Sequence, residues 1–449
     1  MVKTLASSLA VCAALIVAGC ARSVTGTNAD GPVLPTVASP NPSPIKHIVI
    51  LIQENRSFDD FFATFRGADG ATHGKMKTAT GVVTVPLVKG DLLTRDVAHV
   101  HATFVKEYDG GKMDGFANAN AGSNRGQIGQ YVYRYVDPEQ IQPYWAMAKQ
   151  YVLADHMFQT QSSGSFTAHQ DLVAGGTAIG KWASVIDDPI PSNPPWGCDA
   201  SAHTATNLIN VKREVERGAG PFPCFKWKTL ANLIDRAGLT WRYYTPNVCC
   251  AGGALWNAFD AIDAVRYSDE WKDNVISPPS GVFAVARRGM LPSVTWVVPQ
   301  VHDSDHPGGG PDTGPQWVAR VVDAIGEGPH WNSTAIIVVW DDWGGLFDHV
   351  PPPQLDYQGL GFRVPMLVIS PYAKKGYVSH TQYEFGSILR FVENTFSLGS
   401  LYATDARATS IADCFDFHQA PRKFVPIAAK LPQAYFEREP ISNEPVDDQ

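Results

Sequence analysis

The chain has 449 residues, with 36 Lys and Arg against 44 Asp and Glu, and a formal net charge of −8 at neutral pH. That balance lacks the basic footprint a nucleic-acid binder needs. Hydrophobic residues at 44% against 18% charged exclude disorder for the bulk of the chain, and the length allows one large domain or two.

The first residues read as a targeting segment. Lys3 precedes a short apolar stretch from Leu9 to Ala18, which fits a secretory signal and is too short for a mature span. It ends Val17-Ala18-Gly19-Cys20, which resembles the bacterial lipobox. The resemblance implies a signal over residues 1–19, lipid on the Cys20 thiol, and an exported protein that is either anchored in the cell envelope or secreted. Residues 20–44 are dense in Pro, Ser, Thr, Gly and Asn and read as a flexible tether. An exported chain favours disulfides. The cysteines past the tether are Cys198, Cys224, Cys249, Cys250 and Cys414. Spacing leaves their connectivity open. Cys198–Cys224 is the preferred bridge, because it would close the Pro-rich segment between them. No C-x-x-C pair supports a soft-metal site.

Ile48 to Ile52 is a β-branched run that reads as a strand buried on both faces. It stops at Gln53-Glu54-Asn55-Arg56, so a carboxylate and an amide sit at its C-terminal end, where open α/β sheets bind ligands. Thr80 to Leu87 reads as a hairpin arm. In Asp96–Phe104, His99 and His101 are two apart and would share one face of a strand. Ile141–Tyr151 has the pattern of an amphipathic helix. In Ser162–Gly176, Gly164 permits a tight turn and Ser165 or Thr167 can start a helix, where a hydroxyl meets backbone N–H groups and a positive dipole end. A plain N-cap is the bland alternative. Residues 186–225 and 246–291 read as irregular insertions forming a cap, the second with Trp256 and Trp271 in a small core of its own. Thr229–Ala237 reads as a helix and Leu239–Tyr244 as a strand.

Val294–Val298 is the next buried strand, ending in His302, Asp303, Ser304, Asp305 and His306. Thr313–Gly326 reads as a helix with Pro near its start and Gly at its end. Ala335–Trp340 repeats the first pattern, running into the bare pair Asp341-Asp342. Carboxylates gathered in one cleft repel unless a cation or protons neutralise them. With an amide beside them they suit a divalent metal. Val364–Ser370 is a further strand, Glu384–Phe396 a helix against the sheet, and residues 430–449 a tail. There is no phosphate-binding G-x-x-x-x-G-K-[ST] loop and no dinucleotide fingerprint in context.

Q-E-N-R-S-F-D-D-F-F from Gln53, D-G-G-K-M-D-G-F from Asp109 and W-D-D-W-G-G-L-F-D-H-V from Trp340 resemble the bacterial phosphoesterase family, which includes phospholipases C and acid phosphatases. The resemblance runs from about Ile45 to Phe417. It implies an α/β, alkaline-phosphatase-like fold over residues 45–429, with a mainly parallel central sheet flanked by helices and a cap of insertions. It implies a divalent metal held by Glu54, Asn55, Asp341 and Asp342. The nucleophile position falls on Ser165, with Ser163 as fallback. Asn55, His101 and Asp305 are expected to contact phosphate, and His306 or His349 to protonate the leaving alcohol. The phospholipase C branch carries Gly-Pro-Thr followed by Asn-Arg, where this chain has Gly164-Ser165 and then His169. The leading expectation is a phospholipase C working through a phosphoserine. The alternatives are a broad phosphomonoesterase of acid-phosphatase type and a non-catalytic envelope lipoprotein on the same scaffold.

Overall fold

The structure is a computed structural model that describes residues 43–122, 126–248, 252–308 and 312–442. The signal, the lipobox Cys20, most of the tether, Cys249 and Cys250 lie outside the described residues. No helix among the described residues is long and apolar enough to cross a membrane.

An eight-stranded sheet organises the chain. Its strands are β1 (His47–Gln53), β2 (Val152–Ala154), β3 (Trp241–Tyr244), β4 (Val275–Ile276), β5 (Val294–Val297), β6 (Thr334–Trp340), β7 (Met366–Ile369) and β8 (Tyr377–Ser379), in spatial order β4-β3-β5-β1-β6-β7-β2-β8. All pairings are parallel except those of β7, which runs antiparallel to both neighbours. The fold is thus the expected mixed α/β architecture with a mostly parallel sheet. β1 and β6 lie at its centre, and Ile48–Ile52 and Thr334–Trp340 are buried throughout. A strand covered on both faces has no use for polar alternation, so both read as continuous apolar runs. Each fully buried Ile or Val contributes about 1.5–3 kcal/mol.

The helices that matter for the site are α1 (Phe58–Phe62), α2 (His101–Tyr108), α3 (Gln142–Gln150), α4 (Ser165–Ala174), α5 (Leu230–Arg236), α6 (Gly314–Gly326) and α7 (Phe385–Phe396). α6 and α7 are amphipathic and pack an apolar face on the core. α4 differs, since all ten of its residues are buried, including Ser165, Thr167, His169, Gln170 and Asp171. It ends at Gly175, in the left-handed conformation at φ +72°.

Three expectations need correction. Residues 186–225 are only partly irregular. Ala183–Ile190, Ala205–Asn210 and Val215–Glu216 form an antiparallel three-stranded ribbon, whose register shifts between Ile186 and Ile190, where Asp187, Asp188 and Pro189 mask the alternation. The segment carries the Cys198–Cys224 disulfide, with Cα atoms 4.5 Å apart, as preferred. Trp256 is fully buried in the main core rather than in a core belonging to its insertion. His101 opens helix α2 instead of continuing a strand. A smaller aromatic core gathers Phe104, Phe116, Trp343, Phe347 and Phe362 behind the motif beginning at Asp109.

Candidate active site

The site grows from two neighbouring strand ends. β1 and β6 pair in parallel up to Gln53 beside Trp340, so Glu54-Asn55 and Asp341-Asp342 emerge at the same sheet edge. The backbone then locks them. Asn55 N donates to Asp341 Oδ1 at 2.9 Å, Asp342 N donates to the same oxygen at 2.7 Å, and Gly344 N donates to Asp342 Oδ1 at 2.7 Å. Backbone N–H groups favour the charged carboxylate. Asn55 adopts φ +56°, a conformation Asn tolerates better than most residues. Gly344 and Gly345 have positive φ, and a Cβ on Gly344 would lie 2.2 Å from the Asn55 carbonyl oxygen. The Trp-Gly-Gly turn is glycine because the two strand ends touch there.

Helix α4 brings the hydroxyl. Gly164 is its N-cap and Ser165 its first residue. Ser165 Oγ donates to Asp342 Oδ2 at 3.2 Å and lies 3.5 Å from Asn55 Oδ1. His169 is one turn further along the same face. Its Nε2 is 3.1 Å from Glu54 Oε1 and 3.8 Å from Asp341 Oδ2. Ser163 is used differently: its Oγ accepts from Thr167 Oγ1 at 2.6 Å and from Asp187 N at 2.8 Å.

Histidines form the next layer. His99 Nδ1 donates to the Val97 carbonyl at 2.7 Å, which leaves Nε2 to accept from Asn55 Nδ2 at 2.8 Å. The His306 ring lies 5.9 Å from that of His99 and 6.0 Å from that of Trp256, and its Nδ1 donates to the Pro307 carbonyl at 2.7 Å. His101 has other partners. Its Nδ1 donates to the Ser162 carbonyl at 2.8 Å, and its backbone N donates to Asp187 Oδ1 at 2.7 Å. His101 therefore braces the turn ahead of Ser165, while His99, passed over in the sequence, touches Asn55. The two do not share a face, because α2 begins between them.

Two further expected residues belong to other networks. The Asp305 carboxylate accepts the Tyr144 hydroxyl at 2.6 Å and the Trp340 indole N–H at 3.0 Å. Burial pushes its carboxyl well above the usual range, and neighbouring Asp312 pushes the same way. The group holds the turn after β5 through Tyr144 and Trp340, and both of those carboxyl contacts are with the scaffold. His349 pairs with Asp59 Oδ2 at 2.6 Å, and buried Arg363 bridges Asp348 and Asp59 beside it. Burial opposes the His349 charge, but the hydrogen bond and charge of Asp59 outweigh it and raise its pKa above the ordinary value. A raised folded pKa gives stability that is fully present below the unfolded value of about 6.5 and fades as pH rises through the folded one. The expected result is that His349→Gln destabilises the protein at pH 5.5 more than at pH 9. Urea midpoints for both proteins across that range measure it, and a pH-independent difference would remove the His349–Asp59 pair as the cause.

A divalent cation fits the first cluster. Glu54, His169 and Asp341 place ligand atoms within 4.8 Å of one another, and all three are buried. Asp341 Oδ2 is buried and has no hydrogen-bond partner among the described residues, an arrangement that is costly unless a cation or proton compensates it. The cluster of Asp59, Asp348 and His349 has similar spacing, but the Arg363 guanidinium already supplies its positive charge. His169 was absent from the expected ligands. Its signal in the sequence was its place four residues after Ser165, on the same helix face.

The chain is 26% identical over 414 residues to a non-hemolytic phospholipase C of Pseudomonas aeruginosa, covering 79% of this chain and 54% of that one. It thus spans about half the length of that relative. It is 26% identical over 470 residues to phospholipase C B of Mycobacterium tuberculosis, covering 88% of this chain and 83% of that one. Among solved structures, a protein in the alkaline phosphatase superfamily from Vibrio parahaemolyticus covers 83% of this chain and 74% of its own, with 11% identity and a TM-score of 0.38. The Phosphoesterase family matches residues 45–399, and with most of its length inside that match the chain belongs to the Phosphoesterase family.

Proposed function

We propose that the protein hydrolyses phosphoesters at the Glu54–Asn55–Ser165–Asp341–Asp342 cluster, with phospholipids as the leading substrates, cleaved on the glycerol side of the phosphate. The observation that carries the proposal is the Ser165 hydroxyl, first in a buried helix and 3.2 Å from Asp342 Oδ2. Glu54, Asn55, Asp341 and Asp342 would hold the divalent cation. When bound, the cation neutralises phosphoryl charge and acidifies a nearby hydroxyl.

Ser165 Oγ attacks phosphorus as its proton passes to Asp342 Oδ2, and the P–O bond to the alcohol breaks, leaving a phosphoserine. N–H groups at the α4 N-terminus and the Asn55 amide offset charge on the phosphoryl oxygens. The leaving alkoxide takes a proton from His306 Nε2, which holds it when the ring is protonated. Water attacks the phosphoserine and gives a proton back to His306 Nε2, the Oγ–P bond breaks as Asp342 returns its proton to Ser165 Oγ, and the phosphorylated head group of a diester, or phosphate from a monoester, leaves.

A phosphomonoesterase is the second reading, favoured by the Gly164-Ser165 and His169 departure from the phospholipase C branch. Parallel assays with p-nitrophenyl phosphorylcholine and p-nitrophenyl phosphate, with and without chelator, separate the two. Chelator-sensitive turnover of the diester is the expected result. Turnover of the monoester alone would move the assignment to the second reading, and no turnover of either by metal-loaded protein would overturn the hydrolase proposal for these ester classes. The proposal also places the enzyme outside the cytoplasm, anchored through Cys20 or secreted. The Cys198–Cys224 disulfide is consistent with an oxidising compartment.

A further inference from the structure

We infer that His169 is a ligand of the cation at Glu54 and Asp341, and that it biases the site toward a borderline metal of the zinc or iron type over calcium or magnesium. The inference rests on the proposed function only in expecting a cation there. Three observations carry it. The first is position: His169 Nε2 lies 3.1 Å from Glu54 Oε1 and 3.8 Å from Asp341 Oδ2, between two carboxylates rather than against one. Donors that each sit about 2.0–2.2 Å from one ion are roughly 3–4 Å apart, so these separations suit a shared ion.

The second is the state of Asp341. Its Oδ1 accepts two backbone N–H groups, from Asn55 and Asp342, while its Oδ2, on the side facing His169, is buried with no hydrogen-bond partner among the described residues. The carboxylate is oriented with one oxygen saturated and the other presented to the cluster. The third is rigidity. His169 sits on a helix buried at every residue, so its ring is held where the strand ends arrive and little ordering remains for binding.

The competing account is a plain ion pair between a protonated His169 and Glu54. The two differ in one proton. An ion pair needs a proton on Nε2, whereas a ligand offers the Nε2 lone pair and keeps its proton on Nδ1. The choice of metal follows from the donor set: carboxylate and amide oxygens alone suit calcium or magnesium, and an imidazole shifts preference to the later divalent ions. His99 is no substitute, since its Nε2 accepts from Asn55.

The test uses full-length protein stripped of metal and titrated by calorimetry with Zn²⁺ or Ca²⁺, for wild type and His169→Gln. Gln retains an N–H for Glu54 and cannot supply an imidazole lone pair. Wild type is expected to bind Zn²⁺ more tightly than Ca²⁺. His169→Gln is expected to lose roughly 10–100-fold or more of the Zn²⁺ affinity, while its Ca²⁺ affinity stays within about threefold. Equal Zn²⁺ affinity in the two proteins, or a wild type that prefers Ca²⁺, would overturn the inference. If the variant does not fold, X-ray absorption of zinc-loaded wild type reads the ligands directly: imidazole scattering is expected, and an all-oxygen shell would overturn it. No phosphoester enters these measurements, so zinc bound through His169 in a protein that hydrolyses nothing would sink the proposed function alone. Chelator-sensitive hydrolysis with unaltered zinc binding in His169→Gln would sink this inference alone.

Discussion

Ser165→Ala is expected to lower phosphoester turnover by about 10³-fold or more while leaving the fold intact. The hydroxyl makes two contacts, to Asp342 and Asn55, and both partners have other bonds: Asn55 Nδ2 donates to His99 and Asp342 Oδ1 accepts from Gly344. Removing the oxygen therefore strands no buried donor, and the helix retains Gly164 as its N-cap. Ser163→Ala is the contrasting variant. Ser163 Oγ accepts from Thr167 and Asp187; the Thr167 hydroxyl retains the Gly164 carbonyl at 3.1 Å, but the Asp187 N–H loses its acceptor, at about 1–3 kcal/mol. It is expected to destabilise the fold more than it slows the chemistry per folded molecule. kcat/KM and thermal melts for both proteins, with mass spectrometry of acid-quenched wild type for a phosphorylated Ser165 peptide, make the comparison. Turnover within tenfold of wild type in Ser165→Ala would remove Ser165 as the nucleophile.

Arg363→Met is expected to destabilise the protein by about 3–5 kcal/mol, the cost typical of removing one partner from a buried ion pair. The Arg363 side chain is fully buried. Its Nε and one terminal nitrogen grip both oxygens of Asp348 at 2.9 and 3.0 Å, and the other terminal nitrogen donates to the carbonyls of Asp69 and Asp155 at 2.8 and 2.9 Å. The guanidinium also lies 4.7 Å over the Phe58 ring. Met fills similar volume but leaves the Asp348 carboxylate buried without its guanidinium, beside an Asp59 whose remaining ion-pair partner is His349. Adding Asp348→Asn should recover part of the loss, because an amide carries no charge to strand. Urea unfolding of the single and double variants measures both effects. A single variant within 1 kcal/mol of wild type would show that the cluster contributes little.

The sequence motifs divided between chemistry and scaffold. The motif from Gln53 supplies Glu54 and Asn55 to the site and Arg56 to the interior, where it donates to the carbonyls of Asp305 and Leu92. The motif from Asp109 is a surface turn: Asp109 pairs with Lys77 and Lys112, which hold its carboxyl down at about 2, and Phe116 anchors the turn in the aromatic core. The motif from Trp340 does both. Asp341 and Asp342 serve the cluster, while Asp348 and His349, seven residues on, belong with Arg363.

Local sequence by itself determined the buried strands β1, β5 and β6, because short apolar runs rich in β-branched residues and bounded by polar ones fit a strand covered on both faces. It also narrowed a helix start to Ser165 or Thr167, of which the structure has Ser165, and set acidic pairs at strand ends. Only the tertiary structure decided which neighbours those ends would have. The antiparallel direction of β7, the choice of His99 over His101 beside Asn55, the withdrawal of Asp305 and His349 into separate networks, and the arrival of His169 between Glu54 and Asp341 all depend on residues far apart in the chain. Propensity and periodicity act over one or two helical turns, whereas the partner of a charged group is set by the packing of whole elements.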